Sequence, residues 1–292
     1  MKLRSETVRT FENGLPARPR KKWDTIEQYI QFLRHFAAYI YAETFVRGKS
    51  ILEIGCGTGY GADYLSQFAS NIIAIDISKK CVMYSHTTCK KENVNFLLSS
   101  GLHVPLKDDS IDIVLSFQVI EHIESRKVRD FLSDIKRVLK DRGVLIASTP
   151  NKKLRLLPFQ KPWNPEHRKE YNYKEFKEVL GNFFEEVEVY GLKGSEQIQS
   201  IEQNRVKQKP LNVYVIKPLI PLIRKLLPST SLFRLKEMKK SIIRNGKKGR
   251  LIPNETFEKI QPGDLKLLPY CPKDCLDSYG ICKKIKKERI SS

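Results

Sequence analysis

Four glycines at alternate positions, Gly55, Gly57, Gly59 and Gly61, follow a short apolar run in this 292-residue chain. The run contains one acid, Glu53. Glycine lets a backbone turn sharply and leaves no Cβ between main-chain N–H groups and a ligand. Because a continuous apolar run of this length is typical of a buried parallel strand, the pattern predicts a strand that ends in a nucleotide-type cofactor turn.

A second acid, Asp76, ends another apolar run 19 residues after Gly57. In a strand–turn–helix–strand unit of this length, the second strand ends beside the glycine turn, where a carboxylate can accept hydrogen bonds from both hydroxyls of a ribose. The third glycine of a dinucleotide site would fall on Tyr60, and the chain has no GxxxxGK[ST] motif. The two features indicate a ribose-containing cofactor without identifying it.

Two histidines are candidates for acid–base chemistry. Glu121 and His122 follow the apolar run 111–117, at the strand end where open α/β sheets bind ligands. His122 is therefore a candidate general base, and a role in shaping the site is the alternative. His167, in a polar loop, is the second candidate base.

Periodic apolar residues predict the elements that must position these groups. Residues 23–46 show three- and four-residue spacing, which indicates one or two helices ahead of the first strand. The other predicted elements are strands at 50–54, 71–76, 144–148 and 183–190, with helices at about 58–68, 126–140 and 173–181.

Residues 96–123 contain a Pro-containing loop, an acidic turn, a strand and the acid–His pair in that order. This segment resembles the G-D-A-x-x-L-P-F, D-x-S-F-D-x-V and S-x-x-V-x-E-H elements of class I S-adenosylmethionine (SAM) dependent methyltransferases. With the glycine turn and Asp76, the resemblance covers about residues 35–191. The S-T-P-N and N-P-x-H-x-x-E-Y elements at 148–151 and 164–171 resemble a bacterial and archaeal branch that is also similar to ubiquinone-pathway and glycan O-methyltransferases. The overall resemblance implies a Rossmann-like sheet of seven mostly parallel strands flanked by helices.

The resemblance also implies which residues hold SAM. They are Tyr39, Glu53, Gly55, Cys56, Gly57, Gly59, Asp76, Ile77, Ser100, Gly101, Leu102 and Phe117. One position departs from the family pattern, because Ser100 stands where the family has an Asp that accepts from the adenine amino group. A hydroxyl accepts that bond without charge, so we expect weaker recognition of adenine.

We predict no metal site. Cys271, Cys275 and Cys282 form no CxxC pair and have no evident fourth ligand, so packing explains them. Some quinone-pathway relatives hold a divalent cation with an E-x-x-E-H motif. Here Gln118 replaces the first carboxylate, so a hard cation would be held less firmly.

The net charge of +20 lies at the two ends of the chain. Residues 23–190 carry 23 basic and 22 acidic side chains, whereas residues 191–292 carry 23 and nine. We predict a basic arm (1–22), a methyltransferase domain (23–193), a basic, apolar-rich insertion or cap (194–269), the last strand (270–286) and a tail (287–292). The alternative puts the last strand at 212–217.

The N-terminal residues lack the apolar core of a secretory signal, and six cysteines form no regular framework, so we expect a cytoplasmic protein. The sequence favours O-methylation of a small-molecule acceptor that is a glycan, lipid-linked or quinone-type compound. The absence of an [ND]-P-P-[YF] motif argues against methylation of nitrogen. An RNA methyltransferase and a non-catalytic SAM-binding protein are the alternatives.

The basic insertion has two competing interpretations. Residues 205–250 hold fourteen Lys and Arg, one acid, and only Tyr214 and Phe233 as aromatic residues that could stack on bases. This composition favours an anionic membrane surface over nucleic acid as a partner. An apolar cap with a solvated basic face is the other interpretation.

Overall fold

The computed structural model describes residues 25–156, 160–162, 164–210 and 260–285, without the side chains of 208–210. The predicted arm, the tail and most of the predicted insertion lie outside the described residues. No helix within these ranges combines the length and the apolarity needed to cross a bilayer.

Eight strands form one sheet in the order β3-β2-β1-β4-β5-β8-β6-β7. Strands β1 to β5 are parallel to one another, and β8, β6 and β7 continue the sheet in antiparallel pairs. The strands are β1 (Ser50–Ile54), β2 (Asn71–Asp76), β3 (Val94–Leu98), β4 (Ile111–Phe117), β5 (Leu139–Pro150), β6 (Glu186–Gly194), β7 (Leu265–Leu268) and β8 (Asp277–Lys283).

Seven α-helices connect or flank these strands in the described part of the chain. They are α1 (Ile26–Val46), α2 (Tyr60–Leu65), α3 (Lys79–Thr88), α4 (Val128–Val138), α5 (Lys152–Arg155), α6 (Tyr173–Gly181) and α7 (Glu196–Pro210). The lead-in segment is a single helix, α1, whose N-cap Thr25 accepts a hydrogen bond from the backbone N–H of Gln28. In α6, Asn172 and Glu175 form a capping box.

Apolar side chains pack on both faces of the sheet. One cluster joins α1 to the strands through residues such as Ile30, Leu33 and Ile51. The other joins α4 and α6 to the opposite face through residues such as Phe131 and Phe176. Because both faces of the central strands are covered, β1 and β4 are almost wholly buried.

The predicted fold class is confirmed, with one correction to the strand count. The sheet has eight strands and not seven, because β7 pairs with residues 191–194 of β6 at the edge of the sheet. β7 lies within the predicted insertion, and β8 lies within the segment 270–286. The alternative last strand at 212–217 lies outside the described residues.

Candidate active site

A cavity of about 960 Å³ opens at the carboxyl ends of the parallel strands. Most of the predicted site residues line it, and they come from α1, the ends of β1, β2 and β4, the loop after β3 and the loop before α6. The predicted residues in its wall are Tyr39, Gly55, Cys56, Gly57, Asp76, Ile77, Ser100, Gly101, Leu102, Phe117, Glu121, His122 and His167. Glu53 and Gly59 are not part of this wall.

The glycine turn lies directly under the cavity. Gly55 and Gly57 have φ values of 77° and 55°, in the left-handed region that favours glycine. A Cβ added to Gly55 would come within 2.6 Å of Val119 Cγ2, so a side chain at this position would clash. The turn is held against β2, because the N–H groups of Gly55 and Cys56 both donate to the carbonyl oxygen of Ile75.

Asp76 closes one side of this turn. Its Oδ2 accepts from the N–H of Gly57 at 2.8 Å, and its Oδ1 accepts from the N–H of Ser78 at 2.8 Å. A carboxylate has about four lone-pair sites, so each oxygen can accept a further hydrogen bond from the cavity. Beside it, Ile77 is 79% exposed, which offers apolar surface to a flat ring. The pair has the chemistry needed to hold a ribose and an adjoining base.

Tyr39 and Glu53 support the turn from below. Tyr39 donates a hydrogen bond to Glu53 Oε1 at 2.6 Å, and its ring packs edge-on against Phe117 at 5.1 Å between centroids. Gly61 makes room for this ring, because an added Cβ would lie 2.0 Å from Tyr39 Cε1. Burial raises the pKa of Glu53 to about 7, although the Tyr39 hydrogen bond opposes that shift.

The loop that follows β3 forms the predicted adenine end. Ser100 Oγ accepts from the N–H of Leu102 at 3.2 Å, so the hydroxyl helps to shape its own turn. Gly101 lies close to β1, since an added Cβ would be 2.7 Å from Ile54 Cγ2. The hydroxyl can still take part in a second hydrogen bond, and its contact with adenine stays a prediction.

Glu121 anchors the other end of the cavity. Its side chain is fully buried, Oε2 accepts from the Thr149 hydroxyl at 3.1 Å, and Oε1 has no hydrogen-bond partner among the described residues. Burial raises the pKa of Glu121 to about 8. Its backbone carbonyl accepts from the N–H groups of Arg168 and Lys169 and so fastens the loop that carries His167.

His122 and His167 lie against each other, with ring centroids 4.8 Å apart and an interplanar angle of 82°. His122 Nδ1 is 3.2 Å from the carbonyl oxygen of Glu166, and His167 Nδ1 is 2.7 Å from Glu170 Oε1. A carbonyl or carboxylate oxygen only accepts, so Nδ1 carries the proton in both rings and Nε2 is left as the basic nitrogen.

Glu170 is itself held by a buried arginine side chain. Its Oε2 lies 3.1 Å from Arg155 Nε. Burial alone would raise the pKa of Glu170, but the His167 hydrogen bond and the Arg155 charge together lower it. The result is a chain Arg155–Glu170–His167 that fixes the orientation of the imidazole, as a buried carboxylate does for a catalytic histidine.

Sequence reasoning missed the ionic wall on the α7 side of the cavity. Arg34 forms ion pairs of 2.6 Å with both Asp277 and Glu202, and Glu202 also pairs with Arg205 at 2.7 Å. Arg34 and Arg205 line the cavity. The spacing of Arg34 could have indicated that it is buried, because it lies four residues after Ile30 and therefore on the same face of α1.

Gln118 connects this wall to the cofactor end. Its φ of 58° is left-handed, which is uncommon for a residue other than glycine and is often found at functional sites. Its Nε2 donates to Ser148 Oγ at 3.2 Å and to Asp277 Oδ1 at 3.4 Å. The sequence showed that this position is an amide but not that the amide bonds to β8.

A family model described as a methyltransferase domain matches residues 52–147. A Mycolicibacterium smegmatis protein named as a probable S-adenosylmethionine-dependent methyltransferase is 35% identical over 162 residues, which cover 56% of this chain and 62% of that protein. A ubiquinone biosynthesis O-methyltransferase of Rickettsia bellii is 31% identical over 157 residues, which cover 49% of this chain and 63% of that protein. The chain thus spans less than two thirds of either relative.

The fold also has a counterpart among solved structures. The YcgJ protein of Bacillus subtilis superimposes with a TM-score of 0.50 at 17% identity, over 87% of this chain and all of that one. At this level of identity the likeness concerns the fold alone.

Proposed function

Since this chain belongs to the class I S-adenosylmethionine-dependent methyltransferases, we propose that it transfers the methyl group of SAM to an oxygen atom of a polar, hydroxyl-rich acceptor. A glycan, free or lipid-linked, is the acceptor class that the cavity wall favours. The predicted family and its cofactor, SAM, are confirmed by the domain match and by the relatives' names. The activity of the whole protein and its acceptor are proposals.

One observation carries the proposal: the groups suited to SAM and the Glu121–His122–His167 group line the same cavity. The sulfonium of SAM already activates its methyl group, so the protein has to supply placement and removal of the acceptor proton. Placement is worth several kcal/mol, roughly 7–11 in favourable cases. A positioned base typically increases the reaction rate by about 10²–10⁴-fold.

The residues that would bind SAM contact different parts of the cofactor, according to their positions in the cavity. Asp76 would accept from the ribose hydroxyls, Ile77 and the loop 100–102 would contact the adenine, and Gly55 with Cys56 would lie along the methionine end. At the other end, His167 would take the acceptor proton on Nε2, because Glu170 holds the proton on Nδ1. The acceptor oxygen would then be aligned with the methyl group.

The remaining wall favours a polar acceptor over a quinone ring. Its side chains are mostly hydrogen-bonding groups. They include Gln31, Arg34, His35, Gln118, Arg155 and Arg205. Burial lowers the pKa of His35 to about 4, so its imidazole is neutral at pH 7. An apolar ring would offer no hydrogen bonds to the polar atoms of this wall that face the cavity, whereas sugar hydroxyls can supply them.

The first prediction tests the cofactor site by calorimetry with SAM. Asp76→Ala removes a carboxylate that would accept two hydrogen bonds, so we expect SAM affinity to fall about 10- to 100-fold. Asp76→Asn keeps one acceptor oxygen for the turn and should weaken SAM less. Asp141→Ala, at an exposed acid remote from the cavity, is the matched control and should leave SAM affinity unchanged. Wild-type affinity in Asp76→Ala would refute the ribose assignment.

The acceptor is tested by transfer of a labelled methyl group. Purified protein and labelled SAM are incubated with aqueous, lipid and RNA fractions from a strain that lacks the gene. We expect alkali-stable label in a carbohydrate-containing fraction. Label in the RNA fraction favours an RNA methyltransferase, which is the alternative for a chain this basic. SAM binding without transfer to any fraction favours a non-catalytic SAM-binding protein.

A further inference from the structure

We propose that Glu121, His122 and His167 form a binding site for a divalent cation of the Zn²⁺ type. One potential ligand atom from each residue lies within 4.8 Å of the other two, and no other group of three or more such side chains is found in the described part of the chain. The proposal goes against the expectation from the sequence, which considered only Gln118, Glu121 and His122 together.

The oxygen that would bind the cation is an unpartnered atom. Glu121 is fully buried, and its Oε1 has no hydrogen-bond partner among the described residues, whereas Oε2 is occupied by Thr149. A buried carboxylate oxygen left without a partner is costly, and native structures rarely keep one without a ligand, a water molecule or an ion. The free oxygen belongs to a residue that lines the cavity beside both imidazoles.

Each imidazole is already oriented in the way that a metal-binding histidine requires. Such a histidine donates its second ring N–H to a carboxylate or a backbone carbonyl, which fixes its tautomer. His167 Nδ1 lies 2.7 Å from Glu170 Oε1, and His122 Nδ1 lies 3.2 Å from the Glu166 carbonyl oxygen. Neither Nε2 forms a hydrogen bond with a described residue. All three ligand side chains therefore use one polar atom for support and keep the other available.

The donor set selects the class of cation. Two imidazoles and one carboxylate, with a fourth position for water or substrate, are the ligands of many catalytic Zn²⁺ sites. Mg²⁺ demands near-octahedral oxygen coordination and does not suit two nitrogen ligands. Replacement of a carboxylate by Gln118 therefore disfavours a hard cation, while His167 supplies a softer ligand from another loop.

The distances require a modest contraction. Zn–N bonds are about 2.0–2.1 Å, so neighbouring ligands around a tetrahedral ion are roughly 3.4 Å apart. Here one ligand atom from each of the three side chains lies within 4.8 Å of the other two. A small shift of the exposed His122 side chain can shorten that distance while its Nδ1 keeps the hydrogen bond to the Glu166 carbonyl. Glu121 and His167 are buried or nearly so and would stay in place.

A cation at this position would polarise the acceptor hydroxyl and lower its pKa. In that state His122 and His167 are ligands and cannot accept the proton, so the acidified hydroxyl would release its proton to solvent water. This use of the cation rests on the proposed function, but cation binding does not.

Cobalt(II) is the probe for the test. Untagged full-length protein is freed of metal with a chelator, then titrated with Co²⁺ while its visible absorption is recorded. We expect one equivalent to bind and to give the intense d–d bands of four-coordinate Co²⁺. Zn²⁺ should displace it one-for-one, and Mg²⁺ in large excess should not.

Four variants assign the ligands. His167→Ala and Glu121→Gln should each weaken Co²⁺ binding by at least about 100-fold, and Glu170→Gln, which only supports His167, by about 10- to 100-fold. His103→Ala, at an exposed histidine outside the cavity wall, is the control and should bind as wild type does. Circular dichroism checks that each variant is folded.

The proposal is overturned if Co²⁺ binds His167→Ala and Glu121→Gln with wild-type affinity, or if wild-type protein binds no Co²⁺. Thiolate charge-transfer bands would place the ion at cysteines and would also overturn it. Because no methyl donor or acceptor is present in this titration, its failure leaves the methyl-transfer proposal standing. Failure of methyl transfer in the metal-loaded protein would leave the cation site standing.

Discussion

Glu53 lies beneath the glycine turn with one oxygen bonded to Tyr39 and the other, Oε2, without a partner among the described residues. Burial, with a smaller contribution from Asp76, raises its pKa to about 7, and the Tyr39 hydrogen bond counteracts part of this rise. The carboxyl is therefore mostly neutral at pH 6 and mostly charged at pH 8. Although it does not line the cavity, its charge lies next to residues that do.

This titration predicts how SAM binding depends on pH. SAM is a cation, so it should attract the ionised form of Glu53 and lower the pKa of that carboxyl. If the pKa falls by about one unit, SAM affinity gains at most about tenfold between pH 6 and pH 8 and protons are released on binding. Calorimetry in buffers of different ionisation enthalpy measures the proton release.

Glu53→Gln is the matched comparison for this prediction. It keeps the shape of the side chain and an oxygen for the Tyr39 hydrogen bond but cannot titrate. The amino group of SAM titrates equally with both proteins, so the difference between them isolates Glu53. Identical pH profiles for the two proteins would show that Glu53 does not sense the cofactor.

At the scale of elements, α7 is attached to the domain through buried ion pairs as well as apolar contacts. Glu202 on α7 is fully buried and pairs with Arg34 of α1 and with Arg205. Arg34 in turn pairs with Asp277 at the start of β8. These three elements therefore share one charge network, and the network forms a wall of the cavity.

Glu202→Gln should destabilise the protein by about 3 kcal/mol at pH 7, because it removes one of the two carboxylates that compensate the buried Arg34 charge and breaks the pair with Arg205. Burial alone would raise the pKa of Glu202, but the charges of Arg34 and Arg205 lower it to about 2. A folded-state pKa below the unfolded value means that the stabilisation is present above pH 4.5 and is lost as the pH falls towards 2. Urea unfolding at pH 7, 5 and 3.5 measures it.

The difference in unfolding free energy between wild type and Glu202→Gln should therefore shrink at pH 3.5. Glu186→Gln is the control, since it removes the exposed pair between Lys283 and Glu186 and should have a much smaller effect. The assigned role of Glu202 would be contradicted if the two substitutions lowered the unfolding free energy equally. It would also be contradicted if the difference between wild type and Glu202→Gln grew as the pH falls.

At the scale of the whole molecule, charge is divided between a balanced domain and basic ends. Residues 23–190 are nearly neutral, whereas residues 205–250 carry fourteen basic side chains and one acid. α7 leads into this segment, and its residues Glu202 and Arg205 belong to the network beside the cavity. We propose that the basic segment attaches the protein to anionic membranes and so brings the cavity near a lipid-linked acceptor.

Vesicle co-sedimentation tests this attachment. We expect the protein to bind vesicles of phosphatidylglycerol at low salt and not those of phosphatidylcholine. Each Lys or Arg near an anionic surface contributes about 1 kcal/mol, so removal of four should weaken binding by up to about 1000-fold. The test variant replaces Lys239, Lys240, Lys247 and Lys248 with Ser.

The control replaces four exposed lysines of the domain, Lys79, Lys80, Lys90 and Lys91, with Ser. It changes the net charge equally and should bind vesicles almost as the wild type does. Equal losses in the two variants would indicate attraction by overall charge alone. Tight binding of tRNA without binding to vesicles would rule out the membrane proposal and favour an RNA acceptor.

The sequence by itself located the elements of the predicted cofactor site. The glycine turn, Asp76 and the strands around them are local in sequence, and each leaves a short-range signature in apolar period or glycine spacing. They therefore could be placed from residue order alone, whereas the identity of the cofactor came from the resemblance of residues 96–123 to class I methyltransferases. The eighth strand could not, because β7 is four residues long and is defined by its pairing with β6.

Only the tertiary structure showed how the part of the cavity proposed to bind the acceptor is assembled. Arg34 meets Asp277 across 243 residues and Glu202 across 168, and the loop with Glu166 reaches His122 across 44. Contacts of this span leave no periodic signal in the chain, since each depends on how the sheet and helices assemble. The sequence could therefore name His122 and His167 separately, but only the fold brings them together beside Glu121.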